Sequence, residues 1–204
     1  MVPPPLNPDG AKKYEQDEDV QLMLRFCDGD RKAFDKLVER NISNVCGLVY
    51  RFLGNQSQVD DIAQEAFLRV LRNAHRYKPE AKFSTWLYRI VANLCFNVIR
   101  ARKTAKQISI HSAGTGDHTF DLPDERQLDP DAGLVGDERS KRVAAAVAKL
   151  PENQRLAIIL NKYEDKNYAE IAEILDVTTM AVKSLLSRAR VTLREQLEGY
   201  FKNE

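Results

Sequence analysis

The chain has 204 residues, 43% of them hydrophobic and 30% charged, and a formal net charge of +1, the composition of a soluble globular protein of one ordinary domain or two small ones. No apolar run approaches a membrane span, and the opening MVPPPLNPDG lacks a signal-peptide core. Cys27, Cys46 and Cys95 form no CxxC pair, so the expectation is a cytoplasmic protein with reduced core thiols and no metal or other cofactor.

Residues 1–17, Pro-rich and then charged, read as a flexible arm. From 18 to 106 the pattern is helical throughout, with no strand alternation. A short helix is expected over residues 19–28 and a second from 30 to 53, buried through Phe34, Leu37, Val38, Val45, Leu48, Val49 and Phe52 and ended by Gly54-Asn55. A third runs from about 57 to 76 with Asp60 and Asp61 in its first turn, favourable against the helix dipole. Residues 77–82 form a loop containing Pro79, and Ser84 is placed to N-cap a fourth helix reaching about residue 102. Residues 107–137, rich in Gly, Pro, Asp and Ser, mark a linker. Four more helices follow, over about 138–149, 151–163, 168–175 and 179–197. The fold class is all-α: two small helical domains (18–106 and 138–204) joined by a flexible acidic linker.

The near-neutral total conceals a charge pattern. Residues 81–116 contain no acid, while Lys82, Arg89, Arg100, Arg102, Lys103 and Lys106 are basic. Residues 107–140 carry eight acids against two arginines, and residues 177–194 are again acid-free, with Lys183, Arg188, Arg190 and Arg194. Two basic surfaces separated by an acidic strap suit a nucleic-acid partner.

The C-terminal stretch YAEIAEILDVTTMAVKSLLSRARVTLREQL, from Tyr168, has the parts of a helix-turn-helix. Ile171, Ala172 and Leu175 make one apolar face, Asp176-Val177-Thr178 the turn, and Thr178 or Thr179 a cap for the second helix. There Val182, Leu186, Ala189 and Leu193 form the buried stripe. The opposite side presents Thr179, Lys183, Ser184, Ser187 and Arg188, as a recognition helix presents residues to base edges and phosphates. A helical hairpin with a solvated basic face is the plainer alternative, which the absence of acids disfavours. Asp176 stands where the turn more often has Gly, but Asp tolerates the left-handed conformation.

On the third helix Asp60, Asp61, Gln64 and Glu65 form an acidic polar patch beside Ile62, Phe67, Val70 and Leu71. Read alone, that patch is a solvated, dipole-compensating helix start. On the fourth, Leu87, Ile90, Val91, Leu94 and Val98 make the buried stripe. Trp86, Arg89, Asn93, Asn97 and Arg100 recur on another face and combine an aromatic plane, amides and guanidinium groups, as unpaired bases and phosphates require. Trp86 reads equally well as a core residue, while Tyr88 and Phe83 read as packing residues.

Four segments in order, DDIAQEAFLRV, FSTWLYRIVANLCFNVIRARK, LPENQRLAIIL and AEIAEILDVTTMAVKSLLSRAR, resemble a bacterial RNA polymerase sigma factor of the extracytoplasmic-function (ECF) subfamily of the sigma-70 family. The resemblance spans about residues 19–197 and implies a role for each face. Asp60, Asp61, Gln64 and Glu65 would dock on core RNA polymerase. The loop with Lys78 and Lys82, together with Trp86, Arg89, Asn93, Asn97 and Arg100, would hold the opened −10 strand. Thr179, Lys183, Ser184, Ser187 and Arg188 would read the −35 duplex. Implied partners are core polymerase, promoter DNA and an anti-sigma protein, often membrane-bound in this subfamily; no small-molecule substrate and no membrane insertion are implied. Two rival readings are a stand-alone dimeric regulator of an operator and a thiol enzyme using a cysteine with His75, His111 or His118. The first lacks a dimerisation face in the sequence, and the second lacks a nucleophile context.

Overall fold

The computed structural model describes Tyr14 and residues 16–112 and 138–201. Among the described residues there are eight α-helices, two single-turn 3-10 helices and no strand.

Helix α1 (Glu18–Cys27) starts where the Asp17 carboxylate accepts the N–H groups of Asp19 and Val20 at 3.1 and 3.2 Å. These are backbone donors that no helical carbonyl can reach. Residues 1–13, most of the expected arm, lie outside the described part, but Tyr14 packs against the core and Asp17 is a working cap. Helix α2 (Arg31–Leu53) is capped by Asp30 and closes on Gly54, whose φ of 69° is left-handed and whose N–H donates to the Tyr50 carbonyl. Only glycine adopts that conformation without a Cβ penalty. After a 3-10 turn at Gln56–Gln58 comes α3 (Val59–Asn73), with Asp60 and Asp61 in its first turn, and a second 3-10 turn at Ala74–Arg76. The ends of these three α-helices follow the sequence pattern to within three residues.

Helix α4 (Phe83–Ser112) does not. It begins at Phe83, where Lys82 supplies the first helical carbonyl to the N–H of Thr85, so Ser84 sits inside the helix rather than capping it. It also continues ten residues past Arg102. Between Ala101 and Ser112 there is no Gly or Pro to stop it; the first glycine is Gly114. Residues 107–112 of the expected linker are therefore helical, and 113–137 lie outside the described residues. Phe83, Leu87 and Val91 of α4 are fully buried, as are Leu37, Val49 and Phe52 of α2, on which α4 packs, each worth about 1.5–3 kcal/mol of hydrophobic stabilisation.

The C-terminal half comprises α5 (Glu138–Ala148), α6 (Glu152–Lys162), α7 (Tyr168–Leu175) and α8 (Thr179–Phe201). Pro151 is the residue before α6 rather than its first, which suits its fixed φ of −52°. Helix α7 opens with a capping box: Asn167 accepts the N–H groups of Ala169 and Glu170, and the Glu170 carboxylate accepts the Asn167 N–H in return. Leu156, Ile159, Ile171, Val182, Leu186 and Ala189 are buried between α6, α7 and α8. The two halves touch. Helix α7 lies against α4, and α5 and α6 lie against α2, so one hydrophobic core runs through both.

Candidate nucleic-acid interface

The helix-turn-helix is built by α7 and α8. Asp176 has φ 57° and ψ 49°, the left-handed residue the turn requires, and its N–H donates to the Ala172 carbonyl. Thr178 rather than Thr179 caps α8, its hydroxyl accepting the Ala181 N–H at 3.1 Å. In α7 Ile171, Ala172 and Ile174 are buried while Leu175 is only partly so. Val182, Leu186 and Ala189 are fully buried, and this anchors α8 in one rotational setting. That setting leaves Thr179, Lys183, Ser184, Ser187 and Arg188 exposed together, with Met180 at 74% exposure beside them. The turn, the outward face and the stripe through Val182, Leu186 and Ala189 thus stand as the spacing implied, while Leu193, its expected fourth member, is only half-buried.

Helix α4 separates its predicted face into two parts. Asn93, Asn97 and Arg100 are exposed, and the Arg100 guanidinium donates to the Asn97 side-chain oxygen at 3.1 Å. Nearer the start of the helix the residues are engaged. Trp86 is half-buried in an aromatic cluster, 5.2 Å from the Tyr77 ring and 6.0 Å from that of Phe83. Arg89 is buried at 7% exposure and meets Asp176 at 3.4 Å; Lys82 meets Glu170 at 2.9 Å. Burial pulls the Arg89 guanidinium below its ordinary value, against the opposing field of Asp176 and Glu173. For Glu170 burial acts upward, but the Lys82 ammonium and the Asn167 N–H outweigh it and hold the carboxyl low. Lys78 is exposed in the loop.

On α3, Asp60, Asp61 and Gln64 are exposed. Glu65 is tied to Arg69 at 2.8 Å and faces Arg72 at 3.7 Å, with the Arg69 hydrogen bond holding its carboxyl low. Beside this patch runs an apolar groove between α2 and α3, lined by Phe34, Val38, Ile42, Phe67, Leu68 and Leu71. The sequence pattern assigns Phe34 and Val38 to the buried stripe, yet both are only half-buried, and the apolar Leu71 beside them is 43% exposed. The excess of apolar residues on α3 beyond one buried stripe was the available signal.

Of the three thiols only Cys95 is buried, and burial pushes it up to about 12; Cys27 is exposed and Cys46 half-buried. The expectation of core thiols is thus corrected for Cys27, which ends α1 and donates to the Ala74 carbonyl. His75 is exposed, and His118 lies outside the described residues.

Residues 37–105 match the Sigma-70 region 2 family and residues 140–193 the Sigma-70 region 4 family. The ECF RNA polymerase sigma factor SigW of Bacillus subtilis is 37% identical over 171 residues, covering 83% of this chain and 91% of that protein. The RNA polymerase sigma-H factor of Pseudomonas aeruginosa is 32% identical over 188 residues, covering 90% and 95%. The fold is shared with CnrH, solved in complex with the cytosolic domain of CnrY (TM-score 0.67, 24% identity, 90% of this chain and 99% of that one). The chain belongs to the sigma-70 family, as a sigma factor of the ECF subfamily. It directs core RNA polymerase to promoters and is not a stand-alone operator-binding regulator.

Proposed function

We propose that the chain divides this task among three faces. Asp60, Asp61, Gln64 and Glu65 on α3 contact core polymerase. Asn93, Asn97 and Arg100 on α4, with Lys78, Lys82, Trp86 and Arg89, hold the opened −10 strand. Thr179, Lys183, Ser184, Ser187 and Arg188 on α8 read the −35 duplex. Residues 18–106 and 138–204 act as two functional domains, working by binding alone and in the cytoplasm. The observation that supports this most directly is the rotational setting of α8. A fully buried Val182–Leu186–Ala189 stripe leaves a basic, hydroxyl-bearing face outward, the arrangement that fits a major groove. Two relatives of the fold are solved with protein partners: CnrH with CnrY, and RpoE of Bartonella quintana with the anti-sigma factor NepR. An anti-sigma protein is a fitting partner here too.

The test is reconstitution with core polymerase and mapping of transcript starts. Lys183→Ala with Arg188→Ala should lower −35-dependent initiation by about tenfold or more, each base contact being worth roughly 1–3 kcal/mol. Unaltered promoter selectivity would remove α8 from recognition. Asn93→Ala should impair strand opening with core binding intact; loss of core binding instead would make Asn93 a folding residue.

A further inference from the structure

Helix α8 begins with a large apolar side chain on its outward side. Val182, Leu186 and Ala189, all fully buried, fix which side of the helix is inward. At about 100° per residue, the line opposite them runs through Met180, Ser184, Ser187 and Val191. All four are exposed, and Met180, at 74%, is the most exposed large apolar side chain among the described residues. Lys183 and Arg188 stand on either flank of that line, each within about a quarter turn of it. The outward side is therefore an uncharged strip between two cationic edges. Met180 lies in the first turn, which the Thr178 hydroxyl pins by accepting the Ala181 N–H at 3.1 Å.

We propose that Met180 is a specificity-determining residue of the −35 site: it packs its thioether chain on the C5 methyl of one thymine and so selects an A·T pair in one orientation. The inference rests on the reading of α8 as the −35 helix. In a major groove the cationic edges of such a helix reach the phosphates, and its central strip faces the base edges. Those edges carry hydrogen-bond donors and acceptors, with one apolar group among them, the thymine methyl. Serine hydroxyls both donate and accept, so Ser184 and Ser187 suit any polar edge. A thioether accepts only weakly, and laid on a polar edge it strips water without replacing the hydrogen bond. On a methyl the same unbranched, polarisable chain is well matched. Val191 shares the strip but lies roughly 16 Å further along at about 1.5 Å per residue, beyond the N-terminal part of the helix that reaches base edges. Met180 is the apolar residue in that part.

The test uses the full chain assembled with core polymerase, bound to duplexes of a promoter mapped from its own transcript starts. Affinity is read by competition against a fluorescent duplex of the parental sequence. Each thymine of the −35 element, on either strand, is replaced singly by deoxyuridine, which lacks only the C5 methyl and keeps the base pair. One such replacement should weaken binding about fourfold, the effect of losing one buried CH2-sized group. Met180→Gln keeps the length and helix propensity of the side chain and removes its apolar end; Met180→Ala removes the side chain altogether. In both, the same replacement should change affinity by less than about 1.5-fold, because the partner of the methyl is already gone. Val191→Gln, the same apolar-to-polar change at the far end of the strip, should keep the parental fourfold effect. Insensitivity to deoxyuridine at every −35 position overturns the inference. So does full sensitivity in either Met180 variant, an equal loss of sensitivity in Val191→Gln, or a −35 element without an A·T pair. Scrambling the entire −35 element separates a deeper failure: if affinity is then unchanged, α8 does not read the duplex, and the role of Met180 falls with that reading.

Discussion

Glu164 exchanges most of its water for a phenol. Its side chain is 6% exposed, accepts the Tyr88 hydroxyl at 2.6 Å and lies 3.6 Å from Arg51. Burial pushes its carboxyl above the ordinary glutamate value; the Tyr88 hydrogen bond, Arg51 and Lys166 oppose that, while Asp165 adds to it. A carboxyl whose folded value is raised contributes stability that is fully present below the unfolded value, about 4.3, and is lost as pH rises through the folded one. Asp30 and Glu65, held low chiefly by hydrogen bonds from Arg25 and Arg69, behave oppositely. Their contributions are present above the ordinary carboxylate range and vanish only as pH falls below it. The two windows do not overlap. Glu164→Gln, which keeps an acceptor for Tyr88, should therefore flatten the decline of the thermal midpoint from about pH 4.3 upward and leave the acid limb alone. If the slope above that pH survives the substitution, another group sets it.

At the scale of the element, α7 shows how local chemistry makes itself legible. Asn167 and Glu170 stand three apart before an apolar run, the pattern of a capping box, and the helix starts and stops where that pattern and Asp176 place it. Asn167→Ala should cost about 1 kcal/mol, seen as a fall of roughly 2–4 °C in melting temperature for a chain of this size. Asn167→Ser should restore most of it, and equal loss in both would show that the cap is not what matters. Helix α4 shows where legibility ends. Ser84 looks like a cap, but Lys82 begins the helix and the Ser84 hydroxyl serves Lys166 instead. Past Arg102 the sequence turns polar without a breaker, so periodicity fades while the helix continues to Ser112. Loss of an apolar stripe marks the end of burial, which is not the end of a helix.

Across the whole molecule, the features that escaped the sequence are those made by distant residues. Tyr88 and Glu164 lie 76 positions apart, and Arg155, which donates to the Phe52 carbonyl at 2.9 Å with its guanidinium 5.1 Å from the Phe52 ring, is 103 positions from it. No local pattern announces such pairs, although the charge inversions along the chain show that complementary surfaces exist. One physical consequence is coupling in unfolding. Trp86 is the single tryptophan and reports on the N-terminal half, whereas far-ultraviolet circular dichroism reports on every helix. At low salt the two transitions should coincide, as a shared core requires. In the chain with Glu170→Gln and Asp176→Asn they should separate; coincidence in both would mean that apolar contact alone joins the halves.

The exposed line on α4 also acts as a ruler. Asn93, Asn97 and Arg100 recur at four and three residues, so at a rise of about 1.5 Å per residue they span roughly 10 Å. Stacked nucleotides are spaced about 3.4 Å along a strand. In the proposed strand-holding role, a strand laid along this line would present about three successive bases to it, and that number would bound how much sequence the helix discriminates.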